Sequence, residues 1–343
     1  MSLLATGIDI AERAPLPDVA LKMGVSALVE NARRRIIRQN DPQEVEFARD
    51  MALHPIAEHA DAANSQHYEL PEAFFGLVLG PRRKYSSCLY TPSATTLAAA
   101  EDAALAETCK HAGLEDGQTI LELGCGWGSL SLWMAETLPS AKITSVSNSA
   151  SQRDYIERQA KARGLTNLTI ITADMNDFTT ETRFDRVVSV EMFEHMSNWR
   201  ALLERVRGWL KPDGRLFIHI FTHRSTPYRF DHNDDADWIG KYFFTGGIMP
   251  SHGLIARFPD LFELDRDWVW NGRHYERTAL DWLANFDRNH VEIAHILKGV
   301  YGADAGVWFK RWRLFFLATA GLFGARKGEE WAVSHYLLKP VAS

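Results

Sequence analysis

The stretch of sequence that decides the fold is residues 121–133, which read LELGCGWGSLSLW. A short β-rich run, TILEL, leads into three glycines in the pattern G-x-G-x-G, and a run with helical spacing follows. Glycines allow the chain to turn tightly and allow a ligand to approach the backbone closely. A strand, a glycine-rich turn and a helix in this order predict a ligand-binding loop at the carboxyl edge of a parallel sheet.

Strands and helices alternate on the carboxyl-terminal side of this loop. Further strands are predicted at residues 142–147, 168–174, 184–191, 215–221, 260–272 and 329–340. Helical patterns at residues 151–164 and 198–214 separate some of them, and long helices are predicted at 278–297 and 305–322. This alternation predicts an α/β fold with a mostly parallel, seven-stranded sheet and helices on both of its faces.

Two segments lie outside the predicted sheet. Residues 17–60 show the spacing of two helices, the second starting at Asp41-Pro42, and a short helix is predicted between Pro71 and Gly80. We therefore expect a helical lead-in and cofactor cover at residues 1–84 and the main domain at 85–343. The polar and aromatic segment at about 222–260 is too long for a simple connection and predicts a lid-like insertion over the site.

Bulk composition narrows the class of function. The chain has 343 residues, with 38 Lys and Arg against 44 Asp and Glu, and a net charge of −6. A general nucleic-acid binder needs clustered basic residues, so this balance argues against nucleic-acid partners. Three scattered cysteines are too few for a disulfide framework or a cysteine-rich zinc site, and we expect no metal.

The sequence gives no sign of export or of a membrane span. No basic segment followed by an apolar stretch opens the chain, and the longest apolar run, residues 314–324, is shorter than the ~20 residues that span a bilayer. We expect a cytoplasmic enzyme. The stretch WFKRWRLFF at 308–316 mixes bases with aromatics; we favour packing in the core, and a peripheral membrane contact is the alternative. A homodimer also remains open.

The residues around the glycine loop favour S-adenosylmethionine over a dinucleotide. Glu122 precedes Gly124, Gly126 and Gly128, and an acid there suits the ammonium group of that cofactor better than a phosphate. Where dinucleotide enzymes place a ribose-binding acid, this chain has Asn148 between two serines, with Gln152 one helical turn later. Asp174 and Met175 end the third strand and could meet the adenine, and a turn or cap role for Asp174 is the less favoured alternative.

With these motifs in hand, the chain resembles the cyclopropane-fatty-acid synthase family and its offshoot, the coclaurine-type N-methyltransferases. The resemblance covers about residues 66–340 and rests, in family order, on QHYELPEAFF, KYSSCLY, LELGCGWGSLSLW, VEMFEHM, DWIGKYFFTGGIMPS and HYERTALDW. It implies a class I (Rossmann-like) methyltransferase that uses S-adenosylmethionine. Within it, Tyr85 and Ser86 help to enclose the cofactor, and Glu191 at the end of a strand is expected to bind it as well.

The resemblance leaves two acceptors open. In the cyclopropane branch a bicarbonate ion acts as base, and its ligands fall here on the main chain of Ser87 and on Glu194, His219 and Tyr275. These residues favour an unsaturated fatty acyl lipid as acceptor, which is our main expectation. The alternative is N-methylation of a small amine by Glu194 and His195, favoured by the YSSC spelling and by GEEW at residues 328–331.

The insertion offers aromatic faces that could stabilise a cation in either reaction, namely those of Trp238, Tyr242, Phe243 and Phe244. A protein that binds the cofactor without catalysis is a third, different class. It would bind S-adenosylmethionine and release no S-adenosylhomocysteine with any acceptor.

Overall fold

A seven-stranded sheet forms the centre of the fold, in a computed structural model that describes residues 3–38, 43–58, 70–234 and 237–342. Its strands are β1 (Thr119–Leu123), β2 (Lys142–Ser147), β3 (Leu168–Thr172), β4 (Phe184–Val190), β5 (Leu210–His223), β8 (Phe262–Trp270) and β9 (Trp331–Pro340). The strand order is β3-β2-β1-β4-β5-β9-β8, with parallel pairing from β3 to β5 and antiparallel pairing on both sides of β9. The predicted α/β fold is confirmed.

Two short strands form a separate ribbon inside the predicted insertion, namely β6 (Tyr228–Arg229) and β7 (Ile248–Met249). Strand β5 begins earlier than predicted, at Leu210, because the preceding helix ends at Trp209 and Pro212-Asp213-Gly214 already lie in the strand. The pairing of β4 with β5 shifts register between Phe184 and Arg186, which accommodates this irregular start.

The helices are α1 (Leu3–Arg13), α2 (Asp18–Arg38), α3 (Glu44–Met51), α4 (Glu72–Val78), α5 (Leu97–Ala112), α6 (Ser129–Thr137), α7 (Ala150–Ala162), α8 (Trp199–Trp209), α9 (Trp238–Tyr242), α10 (Arg273–Arg288), α11 (His290–Tyr301) and α12 (Ala305–Gly324). The expected helix start at Asp41-Pro42 and residues 66–69 of the QHYELPEAFF motif lie outside the described residues. The single helix predicted for 278–297 is wrong: Asn289 separates α10 from α11, and its amide donates to the carbonyl of Leu77.

The aromatic and basic stripe of α12 packs in the core. Trp312 and Phe316 are fully buried, and the guanidinium groups of Arg311 and Arg313 pair with Glu12 at 3.0 Å and with Asp287 at 2.8 Å. A stripe whose aromatic face is covered and whose charges are paired leaves little for a membrane surface to bind. Among the described residues, no helix combines the length and the apolar character that crossing a bilayer requires.

The lead-in and the insertion both pack against the sheet domain near the carboxyl ends of its strands. Ala57 exchanges two hydrogen bonds of 3.1 Å with the side chain of Asn176, which follows β3. Trp238 of the insertion donates to Glu12 of α1 at 2.6 Å. The boundary at residue 84 and the lid role of residues 222–260 stay predictions, and these contacts give them a structural basis.

Candidate active site

A cleft lies at the carboxyl ends of β1 to β4, where open α/β sheets bind their ligands. It contains about 680 Å³ of empty space, part of which is open solvent. Its walls combine the glycine loop, the ends of β2 to β4 and the lead-in: Ala57, Glu58, Gly124, Gly126, Val146, Ser147, Asn148, Gln152, Ala173, Asp174, Met175, Glu191, Met192, His195 and Met196.

Two glycines of the loop cannot carry a side chain without a clash. Gly124 has φ +79°, and an added Cβ would lie 2.5 Å from the side chain of Met192. Gly128 has φ +76°, and an added Cβ would lie 2.5 Å from the side chain of Ile156. The loop therefore packs closely on Met192 and Ile156 and turns at once into α6.

The ribose side of the predicted cofactor site presents an unused donor. The Oε1 atom of Gln152 accepts a hydrogen bond from the hydroxyl of Ser147 at 2.7 Å. Its Nε2 atom is buried and finds no partner within the part of the chain that the structure describes. A buried donor that lines a cleft needs an acceptor, and the hydroxyls of an adenosyl ribose supply one. These residues therefore fit the cofactor.

Asp174 and Met175 both lie in the wall of the cleft. The Oδ1 atom of Asp174 accepts the backbone N–H of Asn176 at 2.7 Å, so the residue also serves the turn that the sequence offered as the alternative. Asn148 lines the same wall. Contact of these three side chains with the cofactor stays a prediction.

Glu122 lies beneath the glycine loop and is not among the residues that line the cleft. Its Oε2 atom accepts hydrogen bonds from the hydroxyls of Ser131 at 2.5 Å and Ser145 at 2.8 Å. Burial raises the pKa of Glu122 to about 7. Glu122 thus links β1 to β2 and α6 under the loop. We expected this residue to contact the ammonium group of the cofactor, and it instead lies in a position that supports the loop.

Glu191 occupies the centre of the site, just after β4, in the left-handed backbone region with φ +48°. Its Oε1 atom accepts the backbone N–H of Ser87 at 3.0 Å and lies 3.3 Å from Nε2 of His219. Its Oε2 atom accepts the hydroxyl of Tyr275 at 2.7 Å. Ser87, His219 and Tyr275 come from three distant parts of the chain, and we call their donor set the anion cradle.

A buried ammonium group supports the anion cradle. Lys84 is 1% exposed, and its Nζ atom donates to the hydroxyl of Ser86 and to the carbonyl of Ser87, both at 2.6 Å. Burial raises the pKa of Glu191, and the positive charge of Lys84 opposes that rise. Ser86 therefore positions Lys84 behind the cradle, while Tyr85 packs against Phe75 and Trp282. The expected role of Tyr85 and Ser86 in enclosing the cofactor stays a prediction.

Glu194 and His195 follow Glu191 on one turn of 3₁₀ helix, Phe193–His195. Glu194 is 1% exposed, and its Oε2 atom has no hydrogen-bond partner among the described residues. Burial and the charge of Glu191 raise the pKa of Glu194 well above the usual carboxyl range. His195 lines the cleft, its ring stacks on Phe244 at 5.3 Å, and burial lowers the pKa of His195 to about 4.

The expected bicarbonate ion does not fit the anion cradle. Three of its expected ligands, the N–H of Ser87, His219 and Tyr275, meet the carboxylate of Glu191 instead. Glu194, expected as the fourth ligand, makes none of these contacts. A second anion beside Glu191 would be repelled by it and would have no free donors. This chain supplies its own carboxylate where we expected a bound ion.

The sequence analysis missed several residues of the site. Lys84 and Glu58 were not singled out, and Glu191 was assigned to the cofactor alone. Of the four aromatic residues proposed in the insertion, Phe244 stacks on His195, which lines the cleft, and Phe243 packs on Phe315 at 4.4 Å. Lys84 directly precedes Tyr85 in the quoted KYSSCLY motif, whereas Glu58 lies in the lead-in and belongs to no quoted motif.

The fold, the glycine loop and the cleft define the class: the protein is an S-adenosylmethionine-dependent methyltransferase. The chain belongs to the mycolic acid cyclopropane synthetase family, whose sequence profile matches residues 57–329. It is 37% identical to (S)-coclaurine N-methyltransferase of Papaver somniferum over 79% of each chain. It is 32% identical to cyclopropane-fatty-acyl-phospholipid synthase of Escherichia coli K12, over 78% of this chain and 66% of that relative.

Solved structures agree with this assignment. A coclaurine N-methyltransferase bound to N-methylheliamine and S-adenosylhomocysteine superposes with a TM-score of 0.92 at 31% identity, covering 98% of this chain and 100% of that chain. The cyclopropane synthase MmaA2 of Mycobacterium tuberculosis, at 21% identity, covers 83% of this chain and 99% of its own with a TM-score of 0.68, and shares the fold. The predicted family and the predicted cofactor, S-adenosylmethionine, are confirmed.

Replacing Gly124 by Ala should weaken S-adenosylhomocysteine binding by about 10- to 100-fold, because overpacking costs about 1–3 kcal/mol. The added Cβ would push Met192 into the cleft. Calorimetric titration measures the affinity. Gly117→Ala is the matched control, since Gly117 has φ +83° with no heavy atom within 4 Å of the added Cβ. Equal losses of affinity in both variants would mean that backbone strain, and not the contact with Met192, is responsible.

Proposed function

We propose that the enzyme transfers a methyl group to the nitrogen of a small amine with an apolar or aromatic body. The observation that carries this proposal is the carboxylate of Glu191 in the anion cradle, at 2.7 Å from the hydroxyl of Tyr275 and in the wall of the cleft. The preference for an acyl chain rested on His219 and Tyr275 as ligands of a bicarbonate base. Because His219 and Tyr275 both contact Glu191 instead, the preference for an acyl chain loses its basis.

Glu191 is the better base for an amine proton in this site. A general base works best when its pKa lies near the working pH. Burial raises the pKa of Glu191 toward that range, whereas burial lowers the pKa of His195 to about 4 and leaves the imidazole neutral and weakly basic. In this proposal Glu191 takes the proton and His195 orients the nitrogen.

Glu194 supplies a second contact for the acceptor. Burial and the charge of Glu191 raise its pKa above that of an ordinary carboxyl, which favours the neutral form. A buried oxygen that has no partner among the described residues is costly unless a ligand satisfies it. The N–H of a bound amine is a donor of the right type for Oε2 of Glu194.

Aromatic rings surround the histidine that would meet the amine. Phe244 stacks on His195, and the rings of Phe221 and Phe230 lie 5.7 Å and 5.3 Å from Phe244. Ring faces stabilise the positive charge that develops on a nitrogen as it is methylated. Phe244 also gives His195, a residue of the cleft wall, an apolar neighbour.

The relatives support the same acceptor class. Coclaurine and pavine N-methyltransferases of Thalictrum flavum are 34% and 33% identical to this chain, over 83% and 87% of its length. Their names place nitrogen as the methylated atom, and the ligand of the related solved structure is an N-methylated amine. We transfer to this chain the amine class alone, without naming the individual substrate.

The chain's own residues have three tasks in such a reaction. The bound S-adenosylmethionine supplies an electrophilic methyl group, and Gln152, the glycine loop and Asp174 would hold it. Glu191 removes the proton that would otherwise keep the nitrogen lone pair from attacking. The residues of the cleft wall would fix the nitrogen in line with the methyl group, and such alignment is the main source of rate in a displacement of this kind.

Release of S-adenosylhomocysteine, measured with matched acceptors, tests the proposal. Tetrahydroisoquinoline should be methylated, its carbon analogue tetralin should not, and unsaturated phospholipid vesicles should give no turnover. Removal of bicarbonate from the buffer should leave the amine rate unchanged, because Glu191 fills the anion cradle. Bicarbonate-dependent turnover on the vesicles, with none on amines, would overturn the proposal.

A further inference from the structure

A buried lysine lies close behind the proposed base. Lys84 is 1% exposed, and its Nζ atom donates hydrogen bonds of 2.6 Å to the hydroxyl of Ser86 and to the carbonyl of Ser87. On its other side, Ser87 donates its backbone N–H to Oε1 of Glu191 at 3.0 Å. One residue of main chain therefore connects the ammonium group to the carboxylate that we propose as the base.

The turn that carries Lys84 is held at both of its ends. The side chain of Glu101, on α5, accepts the backbone N–H of Arg82 at 2.9 Å and that of Lys84 at 3.1 Å. Glu101 is itself fully buried. After the turn, the hydroxyl of Thr278 on α10 accepts the backbone N–H of Cys88 at 3.0 Å. These contacts fix the position of the ammonium group relative to the sheet.

The charge of Lys84 is not explained by its hydrogen bonds. Burying an ammonium group is costly unless a negative charge compensates it, and a neutral amide could donate both bonds at a lower cost. Within the described part of the chain, both bonds go to uncharged oxygens. The acids that favour the charged form through space are Glu191 and Glu101. Cys88 also lies nearby, but burial raises the pKa of its thiol to about 12, so the thiol is neutral.

The histidines near Glu191 do not supply a positive charge. The titratable side chains that face Glu191 from the surrounding elements, besides the ammonium group, are those of Cys88, Glu194, His195, His219 and Tyr275. Burial lowers the pKa of His195 to about 4 and lowers that of His219 well below the usual range, so both rings are neutral. Behind His219 on β5 lies a row of two more rings with lowered pKa values, His335 on β9 and His111 on α5, with 2.8 Å between facing nitrogens. Among the described residues, the ammonium group is therefore the positive charge that faces the base.

We propose that Lys84 is a positioning residue for the methyl transfer: it directs the N–H of Ser87 at Glu191 and supplies the positive charge that lets this buried carboxylate stay ionised until it takes a proton. The proposal rests on the proposed amine methylation, in which Glu191 is the base. Burial raises the pKa of Glu191, and the charge of Lys84 lowers it. Without that charge the carboxyl group would keep its proton to a higher pH and could not take one from the amine near neutrality.

The first test needs no acceptor. Carbon NMR of glutamate-labelled protein with S-adenosylhomocysteine bound gives the titration midpoint of Glu191, whose signal is identified by its loss in Glu191→Gln. Lys84→Gln removes the charge and keeps a donor for Ser87, and it should raise that midpoint by about 1–3 pH units, the effect of a nearby opposite charge. Lys211→Met is the matched control, because Lys211 pairs with Asp185 at 2.7 Å near the amino-terminal end of β4 and should not affect the midpoint. An unchanged midpoint in Lys84→Gln would overturn the proposal.

A reciprocal measurement requires no change at Lys84. Coupling between two sites acts equally in both directions, so the carboxylate of Glu191 must stabilise the ammonium group as much as the ammonium group stabilises the carboxylate. Nitrogen NMR of lysine-labelled protein should therefore show that Glu191→Gln lowers the titration midpoint of Lys84 by about 1–3 pH units. Glu330→Gln, which alters a buried carboxylate away from the cleft, should leave it unchanged. If Lys84 does not respond to Glu191→Gln, the proposal is wrong, even where Lys84→Gln fails to fold.

The pH profile of kcat with tetrahydroisoquinoline separates the charge of Lys84 from its structural contacts. In Lys84→Gln the acidic limb should move to higher pH, so kcat near neutral pH should fall about 10-fold or more and recover as the pH rises. Lys84→Met also removes the donor to the carbonyl of Ser87, so its kcat should in addition stay below that of the wild type at every pH. Equal losses at every pH in both variants, with the limb in place, would show a purely structural role and contradict the proposal. If the wild type methylates no amine, the proposed function fails, while the two NMR midpoints still judge the coupling of Lys84 to Glu191.

Discussion

Replacing Glu191 by Gln should lower kcat for amine methylation by about 10²- to 10⁴-fold, the range that a positioned general base contributes. The amide keeps the shape of the carboxylate and can still accept from the N–H of Ser87, so the fold and the cofactor site should survive. Steady-state assays of S-adenosylhomocysteine release measure kcat, and calorimetric titration should give an unchanged cofactor affinity.

The pH profile identifies the role of Glu191. Because burial raises its pKa, the acidic limb of the wild-type rate should lie above the range of an ordinary carboxyl group. That limb should disappear in Glu191→Gln.

Tyr275→Phe removes one hydrogen bond from Glu191 and should lower kcat about 10-fold, in line with a net hydrogen-bond free energy near 1–1.5 kcal/mol. Glu330→Gln alters a buried carboxylate away from the cleft and serves as control. Near wild-type kcat in Glu191→Gln would exclude it as the base.

Replacing Glu122 by Gln should remove a dependence of stability on pH worth up to about 3 kcal/mol. Burial raises the pKa of Glu122 from 4.5 to about 7. Its folded pKa is thus above its unfolded value, so the folded state binds the extra proton. The contribution of Glu122 to the free energy of unfolding is complete below about pH 4.5 and is lost as the pH rises to about 7. The Gln variant should lack this fall.

Chemical denaturation of both proteins at pH 5 and pH 8 measures the difference. The substitution should preserve both serine contacts, because Ser131 and Ser145 donate to the same oxygen of Glu122. Ser131→Ala removes a donor that lowers the pKa of Glu122, so it should steepen the pH dependence. An equal pH dependence in the wild type and in Glu122→Gln would show that the buried carboxyl is not linked to folding.

Local patterns predicted the sheet, the glycine loop and the segment with Glu191, Glu194 and His195, because each lies within one short stretch. The pairing partners could not be predicted in the same way. The N–H of Ser87 meets Glu191 across 104 residues, and Tyr275 meets it across 84. Sequence spacing says nothing about such contacts, so the family resemblance suggested a bound ion where the chain has its own carboxylate.

Helices that carry no recognisable motif were also missed. The alanine-rich helix α5 was not predicted, although it has a Thr96 cap and ends at Gly113 in the left-handed region. Its His111 gains meaning only from His335, which is 224 residues away in the sequence. A row of histidines from two strands and a helix has no linear signature, so only the three-dimensional arrangement reveals it.

The position of β9 affects how the chain can be assembled during synthesis. This strand is the last of the sheet to be made, yet it lies between β5 and β8. Until it emerges from the ribosome, β5 and β8 each present an unpaired edge, and such edges attract other strands. A nascent chain that stops short of β9 therefore lacks both a finished sheet and His335, the partner of His219. Completion of the catalytic centre and burial of these adhesive edges coincide in one late folding step.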